Sequence, residues 1–405
     1  MKTTAFKNTD IGPIPEDWEV KRLDECVQIN PPNNGQIPDR FTYLDLESVK
    51  EGRICKLTIV NKQEAPSRAQ RLFRRNDILF QTVRPYQRNN FFVRFDAETY
   101  VASTGYAILR AFPDIAPAFI FSLINSDSFN KEVLDNCTGT SYPAINPRKL
   151  GGIVVSLPIS APEQRRIAAA LSDADELVAS LDKLIEKKKR VKEGAMQRLL
   201  SGETRLPGFT GKWVEKRLGD FAQMEAGGTP DSSVAAYYGG TIPWVSVSDI
   251  SGADKYLKHT ERCLSENGFK CSSAKWYPGN TLLFAMYASI GKCCLTTRRV
   301  TSSQAILGIY NLNGVELEFL YYNFLNREAE FVTIGQTGTQ SNLSKTIIKD
   351  ITVLLPPTLA EQRAIAAVLS DMDAEIAALS RERAEAERIK QGMMQELLTG
   401  KVRLT

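Results

Sequence analysis

Residues 157–206 and 355–404 align without a gap at an offset of 198 positions, and 24 of the 50 aligned pairs are identical. The first copy carries Leu157-Pro158, Glu163-Gln164-Arg165 and Leu171-Ser172-Asp173; the second answers with Leu355-Pro356, Glu361-Gln362-Arg363 and Leu369-Ser370-Asp371. A shorter echo precedes each copy, Trp18-Glu-Val-Lys21-Arg22-Leu23 and Trp213-Val-Glu-Lys216-Arg217-Leu218. Solenoid repeats have periods of roughly 20–50 residues, so a period this long means a duplicated multi-part module. The chain therefore divides into a variable block (1–156), a repeated segment (157–206), a second variable block (207–354) and a second repeated segment (355–405). A pseudo-two-fold product is expected.

The repeated segments read as long helices. Ile167, Leu171, Val178, Leu181 and Ile185 recur at alternating steps of four and three through Ala174, and Ile365, Leu369, Ile376 and Leu379 do so through Met372. That spacing lays a single apolar seam along a helix. Pro158 and Pro162 stand before the first run, Pro356 and Pro357 before the second, and Gly202 and Gly400 sit where each should stop. About 38 residues at 1.5 Å per residue give a rod of roughly 57 Å. A seam of that length needs a partner. If the second helix runs back along the first, the seams meet as an antiparallel coiled coil with one block at each end; the plainer alternative packs each helix on its own block.

The variable blocks read as α+β. Apolar runs such as Asp77-Ile-Leu-Phe80, Phe91-Phe-Val93 and Gly152-Ile-Val-Val155 are bounded by Pro, Asn and Gly, as short strands are. In block two, strands are expected over 242–247, 281–284 and 351–355. Each block should also hold a helix, over 117–125 in the first and 317–331 in the second. Both contain an Asn-Asp/Thr-[IL]-Leu-Phe run (76–80, 280–284) and a Thr-Gly-Thr loop (138–140, 337–339) in the same order. They read as diverged copies of one fold.

The inventory for catalysis is thin. The one histidine, His259, lies in a polar stretch that reads as a solvated loop. With no second histidine and no C-x-x-C pair, a zinc site is not expected, and adjacent Cys293-Cys294 read as part of a strand. No G-x-x-x-x-G-K-[ST] occurs. Asn30-Pro31-Pro32-Asn33 resembles the Asn-Pro-Pro-aromatic motif of adenine methyltransferases, but an asparagine occupies the base-stacking position, so a turn is expected. Glu186-Lys-Lys188 makes an E-x-K only within a charged helix. No apolar run approaches the ~18 residues of a membrane span, and residues 1–18 lack an apolar signal core. Seven irregularly spaced cysteines suit reduced thiols in a cytoplasmic protein. A net charge of +4 permits nucleic-acid binding without arguing for it.

The paired Leu-Pro-x₄-Glu-Gln-Arg-x-Ile-Ala-x₂-Leu-Ser-Asp-x-Asp motifs, each ending in Gln-x-Leu-Leu-[ST]-Gly-x-x-Arg-Leu, resemble the conserved regions of type I restriction–modification specificity subunits. Ala226-Gly-Gly-Thr-Pro230 and Tyr238-Gly-Gly-Thr-Ile-Pro-Trp244 resemble a common opening of that family's target recognition domains; block one carries Asn30-Pro-Pro-Asn-Asn-Gly35 instead. The resemblance implies a non-catalytic subunit with two recognition domains, each reading half of a bipartite double-stranded DNA target in the major groove, and a helix pair that fixes the gap. It implies two modification (methyltransferase) subunits and two restriction (translocase/nuclease) subunits as partners. This chain would bind no cofactor; S-adenosylmethionine, ATP and Mg would serve the partners. The rival readings are a self-contained methyltransferase or nuclease with fused recognition domains, a structural hub binding proteins through its paired blocks, and a specificity subunit of another defence assembly.

Base edges are told apart by Arg or Lys at guanine and Asn or Gln at adenine, with hydroxyls serving either, and phosphates require cations. In block one the candidates are Arg84, Tyr86, Gln87, Arg88, Asn89 and Asn90, then Ser103 and Thr104, then Tyr142, Asn146 and Arg148. In block two they are Tyr287, Ser289 and Lys292, then Ser303 and Gln304, then Gln336, Thr339, Gln340 and Asn342. The first set is rich in Arg and Asn, the second in Ser and Gln, so the half-sites are expected to differ. The basic run Lys183, Lys187, Lys188, Lys189, Arg190 and Lys192 reads as a solvated or partner-facing surface.

Overall fold

The computed structural model describes residues 5–32, 35–336 and 342–404. They form two compact units, Met1–Asp182 with Arg381–Thr405, and Lys183–Ser380. Two long helices, Ala161–Leu200 and Leu359–Leu397, each begin in one unit and end in the other. Every unit thus contains a variable block, the first half of one helix and the last half of the other.

Within each unit the two helical halves run antiparallel, as the order of their ion pairs shows. In the first unit Asp175 meets Lys390 at 2.7 Å and Asp182 meets Arg383 at 3.0 Å. In the second, Lys192 meets Asp373 at 2.5 Å and Lys188 meets Glu375 at 2.6 Å. Lys192–Asp373 and Lys390–Asp175 are the same pair at the 198-residue offset, with the helices' roles exchanged. The apolar seam serves two partners. Ile167 and Leu171 are buried in the core of the first unit beside Leu397 and Leu398. Ile365 and Leu369 are buried in that of the second beside Leu199 and Leu200. Val178, Leu181 and Ile185 are buried, whereas Ile376 and Leu379 are half-exposed. Part of the expected seam-to-seam contact is therefore replaced by charge pairing, because lysine and arginine occupy positions 188, 192, 383 and 390 along it.

The repeated Glu-Gln-Arg motif has a structural task at its first two positions. Glu361 is buried and takes a two-pronged ion pair from Arg205 (2.6 and 2.8 Å), with Trp213 Nε1 donating at 3.3 Å. Glu163 is buried and takes the equivalent pair from Arg403 (2.6 and 2.8 Å), which also grips Asp17 at 2.7 Å. The start of one helix is thereby tied to the tail after the other. Gln164 donates to Pro158 O and accepts from Ala116 N, both at 2.8 Å; Gln362 donates to Pro356 O at 3.3 Å and accepts from Glu316 N at 2.8 Å. Each glutamine so fixes the entry of a helix in its block, Pro117–Ile124 or Leu317–Asn326. Gly400 (φ +71) must be glycine on a second count, since an added Cβ would lie 2.4 Å from Pro15 Cγ.

Both variable blocks are built on the same strand pairings. In block one a four-stranded sheet runs Phe91–Phe92, Ile78–Gln81, Tyr106–Ala111, Val27–Ile29. In block two a five-stranded sheet places Leu282–Ala285 beside Ile306–Tyr310 in the matching antiparallel pair. A second sheet in each has one parallel pair, Arg40–Leu44 with Tyr100–Ser103, and Tyr238–Val245 with Thr301–Ser302. A two-stranded ribbon leads into each long helix: Trp18–Arg22 with Val154–Pro158, and Val214–Arg217 with Thr352–Leu355. Asn76 and Asn280, which open the repeated strand motif, both adopt left-handed backbone (φ 70 and 60). The helix expected over 317–331 is two helices, Leu317–Asn326 and Glu328–Gln336, broken at Arg327.

A half-buried polar network joins the second block to its helical half. Lys255 Nζ donates to Glu318 at 2.5 Å and to Ser370 Oγ, while Tyr322 OH donates to Asp373 at 2.7 Å. Burial opposes the charge on Glu318, but hydrogen bonds from Lys255, Tyr256 and Ser370 outweigh it and hold the carboxyl below its ordinary value. A depressed carboxyl contributes stability above its unfolded pKa and loses it as pH falls through the folded value. Lys255→Met should therefore flatten the acid limb of the wild-type stability profile below about pH 4.3, measured by urea unfolding across the acid-to-neutral range. Arg205→Ala, which leaves the buried Glu361 carboxylate without its cation, should cost about 3–5 kcal/mol in the same measurement at neutral pH.

Candidate nucleic-acid interface

In the first unit the two loop stretches singled out by residue type converge. Strand Ile78–Gln81 ends in a buried glutamine that organises the adjoining loop. Gln81 Nε2 donates to Val83 O and Gln87 Oε1, both at 2.8 Å, and its Oε1 accepts from Asn89 N at 3.1 Å. A short turn, Pro85–Gln87, is flanked by Arg84 and Arg88, both left-handed (φ 53 and 52). The second loop is pinned to the first: Arg84 N donates to Pro143 O at 2.8 Å and Ile145 N to Thr82 O at 3.0 Å. Thr82 also joins the 103–105 turn, its Oγ1 donating to Gly105 O at 2.8 Å.

One surface results. Tyr86, Gln87, Tyr142, Asn146 and Arg148 are exposed on it, and Arg84, Arg88, Asn89 and Thr104 are half-exposed. The Arg84 guanidinium lies over the Tyr142 ring, 4.5 Å from its centroid, a cation–π arrangement. Arg88 is paired with Asp127 at 2.7 Å. Asn146 accepts from Lys149 N at 2.9 Å and so caps the short helix Pro147–Gly151. Two candidates are internal. Asn90 is buried, accepting from Gln81 N at 2.9 Å and donating to Asn125 at 3.0 Å; Ser103 is buried, its Oγ accepting from Gly105 N at 3.2 Å. Their polarity is spent on holding the loops, a use that residue type alone does not reveal.

In the second unit Ser289, Lys292 and Gln336 line one open cavity of about 470 Å³ with Ile290, Glu328 and Val332. Lys292 is paired there with Glu328 at 2.9 Å. The turn is tight, with Ala288 and Gly291 at positive φ, and half-exposed Tyr287 stands at its start. Asn342 is exposed, and Leu343 N donates to Met286 O at 3.1 Å beside it. Thr339 and Gln340 lie outside the described residues. Ser303 is buried; exposed Gln304 is instead fixed by a hydrogen bond from Thr229 Oγ1.

That bond explains the Gly-Gly-Thr-Pro opening. A Cβ on Gly227 would fall 2.2 Å from Ser302 O, and one on Gly228 would fall 2.4 Å from Ala274 N. Trp244 Nε1 donates to Gly228 O at 3.0 Å. The glycines let the chain press against strand Thr301–Ser302 so that Thr229 reaches Gln304. Arg299, stacked over Trp276 at 4.3 Å, carries no distinguishing signal in the sequence; the two lie in separate polar turns, and only the fold brings them together. Asn30 has left-handed backbone (φ 49), with its Oδ1 accepting from Ile108 N at 3.0 Å, while Asn33 of the expected turn lies outside the described residues. His259 is exposed in a loop.

Among the described residues no group of three or more His, Cys, Asp or Glu side chains is gathered as a metal site requires. Burial pushes the Cys26 thiol up to about 11 and that of Cys294 up to about 12, which keeps both protonated at neutral pH. No helix among the described residues is long and apolar enough to cross a membrane.

The model of the type I restriction modification DNA specificity domain matches this chain twice, over residues 15–190 and 210–388. The chain belongs to this family, that of the type I restriction–modification specificity subunits. It is 25% identical, over its full length and 98% of the relative, to the putative type I restriction enzyme MjaX specificity subunit of Methanocaldococcus jannaschii. The crystal structure of the HsdS subunit from Thermoanaerobacter tengcongensis aligns with a TM-score of 0.51 at 26% identity, covering 96% of this chain and 98% of that one. A chain from a structure of complex assembly and conformational transition in the type I R-M system aligns at 0.64 and 25% identity, covering 96% and 99%. The resemblance drawn from the paired motifs is thereby confirmed.

The close approach at Gly227 is testable. Gly227→Ala should destabilise the chain by about 1–3 kcal/mol, because backbone oxygens cannot swing aside, whereas Gly252→Ala, whose Cβ would lie 3.4 Å from Ser248 O, should be nearly neutral. Parallel urea titrations compare them.

Proposed function

We propose that this chain is the address-reading, non-catalytic subunit of a type I restriction–modification complex. Each variable block reads one half of a bipartite double-stranded DNA target in the major groove, and the two long helices set the unspecified gap between halves. The observation that carries this reading is the pairing of a repeated scaffold with unlike surfaces. The ion pairs and glutamine clamps recur at the 198-residue offset. The candidate loops of the two blocks differ, with Arg84, Arg88 and Arg148 in one unit against Ser289, Gln304 and Gln336 in the other. A common scaffold under dissimilar loops is what a reader of two different sequences needs.

Adenine methylation would then fall to two modification subunits that bind S-adenosylmethionine. Translocation and cleavage would fall to two restriction subunits that use ATP and Mg. A structure of type I complex assembly among the neighbours supports partners of this kind. A self-contained methyltransferase is disfavoured by Asn33 at the stacking position of the Asn-Pro-Pro motif.

Methylome sequencing of cells expressing the chain with its modification subunit should return two unlike half-sites separated by a fixed gap; a single unbroken palindrome would refute the reading. Inserting seven matched residues into each long helix adds about 10 Å at 1.5 Å per residue. The preferred gap should then lengthen by about three base pairs at 3.4 Å each, read from the same sequencing.

A further inference from the structure

We propose that Arg84, held on the face of Tyr142, reads a guanine in the half-site of the first recognition domain. This rests on the DNA-reading function proposed for the chain and assigns one of its loop residues a base. Guanine presents two acceptors, O6 and N7, side by side in the major groove, and a guanidinium meets them with two parallel donors.

Arg84 differs from the other cations of these loops in what its side chain lacks and in what it rests on. Arg88 is neutralised by Asp127 at 2.7 Å, Lys149 donates to Asn136 O at 3.1 Å, and Lys292 is paired with Glu328 at 2.9 Å. The Arg84 side chain has no carboxylate and no hydrogen-bond acceptor among the described residues; its contact is the Tyr142 ring, 4.5 Å away. Arg148 is likewise unpaired among the described residues but has no aromatic platform. Stacking holds a guanidinium by its face and leaves its N–H edge free, the orientation a two-pronged contact requires.

The backbone is committed to the same end. Arg84 sits at φ 53 and ψ 52, a left-handed conformation unfavourable for a residue with a side chain. It is retained because Arg84 N donates to Pro143 O at 2.8 Å and Val83 bridges Ala144. These bonds also bring Tyr142 beneath the guanidinium. A strained, over-determined residue carrying an unpaired donor edge on an exposed surface marks a binding position. Tyr142 is 65% exposed and Arg84 half-exposed, so the pair is open to solvent.

The test uses the full chain assembled with its modification subunits and duplexes carrying the methylated site. Each guanine in turn is replaced by 7-deazaguanine, which lacks the N7 acceptor. With wild type, one position in one half-site should lower the methylation rate about 10- to 100-fold. Arg84→Met, which keeps an unbranched stem and removes every donor, should be insensitive to that same replacement and accept other bases there. Tyr142→Phe should behave as wild type, and Tyr142→Ala should weaken selection at that position alone. If Arg84→Met keeps full selectivity at every guanine, or weakens all duplexes equally with a shallower salt dependence, the residue is not a base reader and the inference fails. A half-site pair without such a guanine overturns it as well. Should the wild-type complex methylate no defined sequence, the parent reading fails instead.

Discussion

Two buried ion pairs, Glu361 with Arg205 and Glu163 with Arg403, make this architecture possible. Each joins the first turn of one long helix to the tail after the other. A buried carboxylate cannot be left alone without a large penalty, so each helix start requires a chain segment 156 or 240 residues away in sequence. The first unit is assembled from two separate stretches of chain, Met1–Asp182 and Arg381–Thr405, whereas the second is the continuous stretch Lys183–Ser380. Duplication explains why one solution appears twice: once a Glu at the head and an Arg at the tail recognise each other, two copies in tandem can satisfy both pairs by exchange.

The rest of the repeated motif has its cause in the same junction. Gln164 and Gln362 carry the constraint into the blocks by accepting from the first free backbone N–H groups near Pro117–Ile124 and Leu317–Asn326. Helix starts leave several such donors without partners, and a buried glutamine can accept from one while donating to a proline carbonyl. The tails close on Trp213 and Trp18 through Gly202 and Gly400, both with positive φ. The family signature is thus a set of packing and capping requirements. The residues free to diverge are those on loops whose backbone is already held by buried polar groups such as Gln81 and Asn90.

The helices are legible in sequence because two independent signals, periodicity and duplication, agree, and Gly202 and Gly400 mark their ends. The seam is less legible. Lysine and arginine at positions 188, 192, 383 and 390 look like interruptions of an apolar stripe, whereas pairing with Glu375, Asp373, Asp182 and Asp175 makes them part of the contact. In the loops, residue type locates the right stretches but cannot separate exposed from internal groups. Tyr86 and Gln87 face solvent while Asn90, a few positions on, is buried against Asn125, a distinction that depends on a residue 35 positions away. Arg299 and Trp276 escape a reading by residue type because neither is unusual until the bridge between their neighbours Tyr277 and Val300 sets them together.

The two units are not equivalent in how a block is fixed to its helical half, and the difference lies at one duplicated serine. Ser172 receives Arg94 at 2.9 Å, an arginine that also reaches Glu176 at 3.4 Å across an exposed surface. Ser370, its counterpart, receives Lys255 from a half-buried cluster in which Glu318, Tyr322, Asp373 and Lys192 satisfy one another. Exposed pairs of the first kind contribute about 0–1 kcal/mol, whereas hydrogen bonds partly withdrawn from water strengthen one another. The duplicated serine thus receives its cation at an exposed ion pair in one unit and within a half-buried hydrogen-bonded cluster in the other.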